Sequence, residues 1–324
     1  AITSRRGRCA CPGAARTRVT LTCIPCLAVH DVDALSFLQQ SPRYGAPAVA
    51  PVKPLHSRRV FAAACLVLLA TAVYLLQDRQ RDNARAATYA ATVDALLSVS
   101  GLHADAEAPS RTFDAARIFV ADHSQHRIDD AFYALWRDPN RIAAAVLAHA
   151  RGEAAERPHL ECSTRTSVLD ALLRRLGYAT RMIVVFDGAK DLSSHTFLEA
   201  RNPRTTRWEI VDPDYDIHWR LRADGARAGI VDILRGVDAV EPCGRQACGW
   251  DEASGEGQQV AFLRSFLGLA AIIDKARDRR LTLFAGQVDP AARYRQGKRE
   301  GTFCELIAKN CRDGFLPVGS YAED

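Results

Sequence analysis

Cys162, His195 and Asp212 are the residues of this 324-residue chain whose types and settings suit nucleophilic chemistry. A thiol attacks as its thiolate, and a helix N-terminus favours that form through unpaired N–H groups and the helix dipole. Cys162 opens such a helix by pattern. Val168, Leu169, Leu172, Leu173 and Leu176 form an apolar stripe behind it, and Gly177 ends it. The thiol also needs an imidazole to move protons, and the imidazole needs an acceptor to fix its tautomer. His195 falls at the start of one strand-like run and Asp212 at the end of the next. In an antiparallel pair the start of one strand lies beside the end of the other, so the two should be neighbours facing the helix end that carries Cys162. The expected order is Asp212 on Nδ1–H of His195, with Nε2 towards the sulfur. Taken singly, each residue has a plainer reading: a buried thiol, a satisfied strand-end histidine, a turn-starting aspartate.

The elements that must hold these residues can be read from periodicity. Residues 84–157 read as helices: Ala86–Val99, a second capped by Ser110 and running to Val120, a short third over Asp129–Trp136, and a fourth over Arg141–Ala150 with Pro139 suited to its first turn. Gly152–Pro158 is a polar linker. After the Cys162 helix come strand-like runs at Thr180–Phe186, Thr196–Ala200 and Trp208–Val211, with turn signals at Asp187-Gly188 and Asn202-Pro203. The expected class is α+β, a helix packed on an antiparallel meander. Residues 223–324 look mixed, with Val260–Ile273 expected as a helix and Leu281–Phe284 as a short strand. Arg181 is expected in a salt bridge at the surface or core edge, and Trp208 in the core.

These segments resemble the transglutaminase-like superfamily of papain-like folds. The resemblance rests on Cys162-Ser163-Thr164 opening a helix, Gly177-Tyr178-Ala179-Thr180-Arg181 leading into a strand, His195-Thr196-Phe197-Leu198-Glu199, and Trp208-Glu209-Ile210-Val211-Asp212-Pro213. It covers residues 155–215 closely and the preceding helices more loosely. It implies Cys162 as nucleophile, His195 as general base and acid, and Asp212 as the orienting carboxylate. The implied function is acyl transfer on a peptide or amide bond, hydrolysis first and transamidation second, with a peptide or protein substrate and no metal or cofactor. A non-catalytic binding module on the same fold, working in cell-surface assembly, is the rival from another class. Two departures stand out. Glu161 occupies the position before the cysteine where the family has a small residue, and a carboxylate there opposes the thiolate unless turned away. Thr196-Phe197 replaces the usual small residue and Trp.

Export is expected from the first half of the chain. Val60–Leu76 is seventeen residues without a charge, about 25 Å as a helix and at the short end of a bilayer crossing. Arg58 and Arg59 precede it, so residues 58–77 read as an uncleaved signal anchor, with Ala84-Arg85-Ala86 as the cleavage alternative. The domain over 78–222, with its core at 158–222, would then sit periplasmic or extracellular on the cytoplasmic membrane. After the anchor come Cys162, Cys243, Cys248, Cys304 and Cys311. An odd count in an oxidising compartment suggests two bridges and one thiol kept free; Cys243/Cys248 and Cys304/Cys311 are the simplest of the pairings open to these cysteines, and they leave Cys162.

Residues 1–57 hold six of the fourteen prolines and no sustained period. They are expected to be disordered, or to precede a true start at Val52 or Leu55. Cys9, Cys11, Cys23 and Cys26 lie there as C-x-C and C-x-x-C, without the apolar periodicity that a zinc-nucleated domain would need. Residues 1–59 carry nine basic and two acidic side chains, against a chain net of +5. The remainder is therefore slightly acidic, which gives no basic face for nucleic acid. Asp212-Pro213-Asp214-Tyr215-Asp216 opens like a calcium loop but has Ile217 where glycine is needed and Ala223 where the bidentate acid belongs. A looser cation site from Asp214, Asp216 and His218 is the residual alternative. For the oxyanion, the Cys162 N–H is the expected donor, with Trp136, Gln125 or His159 as its partner.

Overall fold

The structure is a computed structural model and describes residues 55–187, 194–249, 266–274, 276, 279–284 and 315–321. Cys9, Cys11, Cys23, Cys26, Cys304, Cys311 and Gly188 lie outside the described residues, as do the bridge, zinc and turn expectations that fall on them.

Helix α1 runs unbroken over Leu55–Ser100. Its apolar stretch is uncovered, with Leu66 67%, Leu68 69% and Leu76 62% exposed. Among the described residues, no helix is long and apolar enough to cross a membrane. The transmembrane anchor expected over 58–77 is therefore not supported. The uncharged run is short, and the same helix continues directly into Gln77-Asp78-Arg79-Gln80-Arg81. Further along α1, Val93 and Leu96 turn into the core.

Helix α2 is Pro109–Asp122. Ser110 does not cap it. Ala108 holds the cap position, and Pro109 starts the helix because it has no N–H to leave unpaired. Strand β1 is Gln125–His126. Helices α3 (Asp130–Leu135) and α4 (Pro139–Ala150) begin at Asp129 and Asp138, whose carboxylates accept the Ala131 and Phe132 and the Asn140 and Arg141 N–H groups. Strand β2, His159–Leu160, pairs parallel with β1 and leads into helix α5, Cys162–Arg175. Beyond α5 the chain turns at Gly177, in the left-handed region at φ 90°.

The meander follows as β3 (Thr180–Asp187), β4 (Ser194–Arg201) and β5 (Trp208–Asp212), antiparallel as expected. It is part of a larger sheet. Strands β6 (Ile217–Leu221) and β7 (Val240–Cys243) extend one edge, with helix α6 (Ile230–Arg235) between them in sequence. Strands β8 (Phe266–Asp274), β9 (Arg279–Phe284) and β10 (Phe315–Pro317) extend the other edge, giving the order β10-β9-β8-β3-β4-β5-β6-β7. Among the described strands of this sheet, β10 alone runs parallel to its neighbour. The helix expected over Val260–Ile273 is instead strand β8 where it is described. Phe266–Ile273 is continuously apolar, so no polar face distinguishes helix from buried strand. Pairing with both β3 and β9 decides it.

Both faces of the central strands are covered. Met182, Leu198 and Val211 pack with α2, α4 and α5, while Ile183, Phe197 and Ile210 pack with α6, Trp219 and β8. Every residue of β5 is buried for that reason.

Candidate active site

Cys162 occupies the first turn of α5 and is partly exposed. As the first helical residue, its N–H has no acceptor within the helix and remains available to an oxyanion. The Glu161 N–H donates to Thr164 Oγ1 at 2.9 Å, which fixes the entry of the chain into the helix. The Glu161 carboxylate accepts the Ser163 hydroxyl at 2.5 Å, so the acid beside the thiol is engaged by its own neighbour.

His195 and Asp212 are brought together as the sheet order requires. His195 Nε2 lies 2.7 Å from Asp212 Oδ2, with the two side chains 4% and 0% exposed. The ring orientation differs from expectation: Nε2, not Nδ1, meets the carboxylate. Spacing along two strands places a histidine near an aspartate but says nothing about rotation of the ring, which its partners set. Nδ1 is the ring nitrogen that Asp212 does not take, and Cys162 is among the groups that favour the protonated ring. Burial of the ring works against its protonated form. The Asp212 charge and hydrogen bond, followed by the hydrogen bond and charge of Cys162, outweigh burial and push His195 up to about 10. The ring is clamped flat against Tyr215, centroids 4.2 Å apart and planes 7° from parallel. One turn along α5 from Cys162, Thr166 Oγ1 donates to the Thr196 carbonyl at 3.1 Å, tying the cysteine helix to the histidine strand.

Asp212 is also a turn starter. Its Oδ1 accepts the Asp214 and Tyr215 N–H groups at 2.9 and 3.2 Å, leaving Oδ2 for the imidazole. The Asp214 carboxylate, 2% exposed, is held by Arg165 Nη1 at 3.0 Å and by His126 Nδ1 at 2.8 Å. Arg165 is itself buried and donates further to Ser124 Oγ and to the Ala121 and Asp214 carbonyls. Burial alone would raise the Asp214 carboxyl, but the His126 hydrogen bond and the charges of His195, His126 and Arg165 hold it below the usual carboxylate range.

The loose cation site is not supported. Asp214 is bound as described, and Asp216 pairs with Arg117 and Arg245. His218 faces Asp114 at 3.4 Å instead. Among the described residues, no cluster of three or more His, Cys, Asp or Glu is arranged to hold a metal ion. Of the oxyanion candidates, Gln125 and His159 face each other in the β1–β2 pair just before Cys162. His159 Nδ1 is committed to Asp129 at 2.9 Å, and Trp136 is exposed beneath the Arg137 guanidinium. Arg181 pairs with Glu199 at 2.5 Å and lies over the Trp208 ring, both deep in the structure. Cys243 and Cys248 are bridged as expected.

Sequence reasoning overlooked Arg165, Tyr215 and His126, and took Asp214 only for a turn or cation residue. Arg165 lies one turn from Cys162, a spacing that could have been noticed. His126 lies 88 residues from Asp214, and only the β1–β2 pairing beside Cys162 unites them. Compared with known proteins, the chain matches no family model, and no curated protein shows a significant match.

Proposed function

We propose that the chain is a transglutaminase-like thiol acyltransferase that cleaves peptide or amide bonds through Cys162, His195 and Asp212. The observation that carries the reading is His195 buried against the Asp212 carboxylate, with Cys162, the first residue of α5, among the groups that favour its protonated ring. Attack requires the proton on His195 and the charge on sulfur. The thiolate attacks the carbonyl carbon, and the carbonyl electron pair moves onto oxygen, towards the Cys162 N–H. Collapse expels the amine, which takes the proton from Nδ1 of His195. Water then gives a proton to Nδ1 while its oxygen attacks the thioester carbon. The acid departs and the Cys162 thiolate returns. An amine in place of water would give transamidation.

The location outside the cytoplasm is part of the same proposal. It is supported by the Cys243–Cys248 disulfide. The uncovered apolar residues of α1, following Arg58 and Arg59, support contact with a membrane.

The test is hydrolysis of a mixed library of fluorogenic peptide amides by the full chain, its Cys162→Ala variant and its His195→Ala variant. Release that disappears in both variants, with their thermal melts unchanged, is the expected result. Equal release by wild type and Cys162→Ala would contradict the reading, and release by none of the three would favour the binding-module alternative.

A further inference from the structure

Two carboxylates, not one, reach the His195 ring. Asp212 takes Nε2, and Asp214 Oδ2 lies 3.9 Å from Nδ1, the other ring nitrogen. Asp214 is 2% exposed and is held as an anion by Arg165 from α5 and His126 from β1. Among the described residues, the titratable groups facing His195 include Cys162 from α5, Asp212 at the end of β5, Asp214 from the following turn and Tyr215 stacked on the ring, with Arg165 and His126 behind Asp214.

We infer that Asp214 is a second positioning carboxylate of this site, stabilising the protonated His195 ring from the Nδ1 side while Arg165 and His126 hold it in place. The inference rests on the reading of Cys162 and His195 as the reactive pair. Its role is clearest after attack. While sulfur is a thiolate, the imidazolium has an anion beside Nδ1. Once sulfur is bonded to the acyl carbon, that charge has moved to the carbonyl oxygen or been neutralised. When water later delivers its proton to Nδ1, Asp214 is the carboxylate on that side of the ring. An opposite charge about 4 Å away favours the protonated ring by about ten-fold or more in its equilibrium.

The experiment follows alkylation of Cys162 by iodoacetamide on the full chain as a function of pH, read by peptide mapping, with exposed, unbridged Cys65 as internal standard. The rate should step where His195 loses its proton, near pH 10 in the wild type. Asp214→Asn keeps an oxygen for Arg165 and His126 but removes the charge, and should lower that step by about one to three pH units. His126→Ala, at a ring with 46% of its side chain exposed, removes a donor that shares the Asp214 charge, and should move the step to higher pH. A merely structural role would not move the two variants in opposite directions. An unmoved step in Asp214→Asn overturns the inference while leaving the Cys162–His195 pair standing. If Asp214→Asn does not fold, a lowered or unmoved step in His126→Ala overturns it alone. A wild-type Cys162 that reacts like Cys65 with no second step overturns both readings.

Discussion

Asp212→Asn removes the charge that keeps His195 protonated while leaving a group of the same shape. At 2.7 Å, and with an effective dielectric of ~20, the pair attracts by about 6 kcal/mol before burial is charged against it. Elevation of the ring from 6.5 to about 10 corresponds to about 5 kcal/mol net, because burial and the Cys162 sulfur contribute as well. Without the Asp212 charge, burial becomes the dominant influence, and His195 should titrate far lower. The neutral ring can then keep its hydrogen on Nδ1, where it faces the sulfur as a donor and cannot accept a proton from it. A rate loss of ~10³- to 10⁴-fold at pH 7 follows by analogy with serine triads. The alkaline limb of kcat/KM, near pH 10 in the wild type, should fall by several pH units. KM should barely move, because Asp212 is fully buried and held by its own turn. The assay is kcat and KM against pH on the best peptide amide from the library. An Asp212→Asn protein with full activity and an unmoved alkaline limb would refute the reasoning.

The same shift bears on stability. The His195 contribution is fully present below pH 6.5 and is lost as pH rises through about 10, so the wild type should lose more stability than Asp212→Asn between those limits in urea melts. Asp114 has the opposite sign. Despite burial, its partners His218 and Arg227 lower its carboxyl to about 2, so about 2 kcal/mol present above pH 3.8 is lost as pH falls through 2, and Asp114→Asn should flatten that acid limb. Arg165→Ala leaves the buried Asp214 charge without its guanidinium and should cost ~3–5 kcal/mol in chemical denaturation. Opening the Cys243–Cys248 loop by Cys243→Ser with Cys248→Ser should cost ~2 kcal/mol, and iodoacetamide should label neither cysteine of the wild type before reduction.

The helix of Cys162 and the meander of His195 and Asp212 were legible because their signals are local. An apolar stripe ends at Gly177, and strand runs alternate with turn residues. Continuously apolar runs carry no such signal. Phe266–Ile273 reads equally as buried helix or strand, and only its partners β3 and β9 resolve it. The extent of the sheet was likewise hidden, since β6, β7 and β10 are three to five residues long. At the site, spacing located Asp212 against His195 but not the ring nitrogen it holds. Arg165 belongs to no motif or apolar stripe of its helix, yet it is buried because Asp214 and the Ala121 and Ser124 carbonyls absorb its donors. Val60–Leu76 shows the converse: an apolar run announced itself clearly, but composition alone did not establish a bilayer crossing.

The central claim is that Cys162 carries the acyl group between attack and release. The most direct measurement mixes the full chain with p-nitrophenyl acetate for less than one turnover, quenches in acid and maps the acetyl group by peptide mass spectrometry. The account predicts acetyl on Cys162, a burst of nitrophenolate equal to the protein present, and loss of both in Cys162→Ala and His195→Ala. Acetylation of Cys65 at the same rate as Cys162, or a burst that survives in Cys162→Ala, would contradict it.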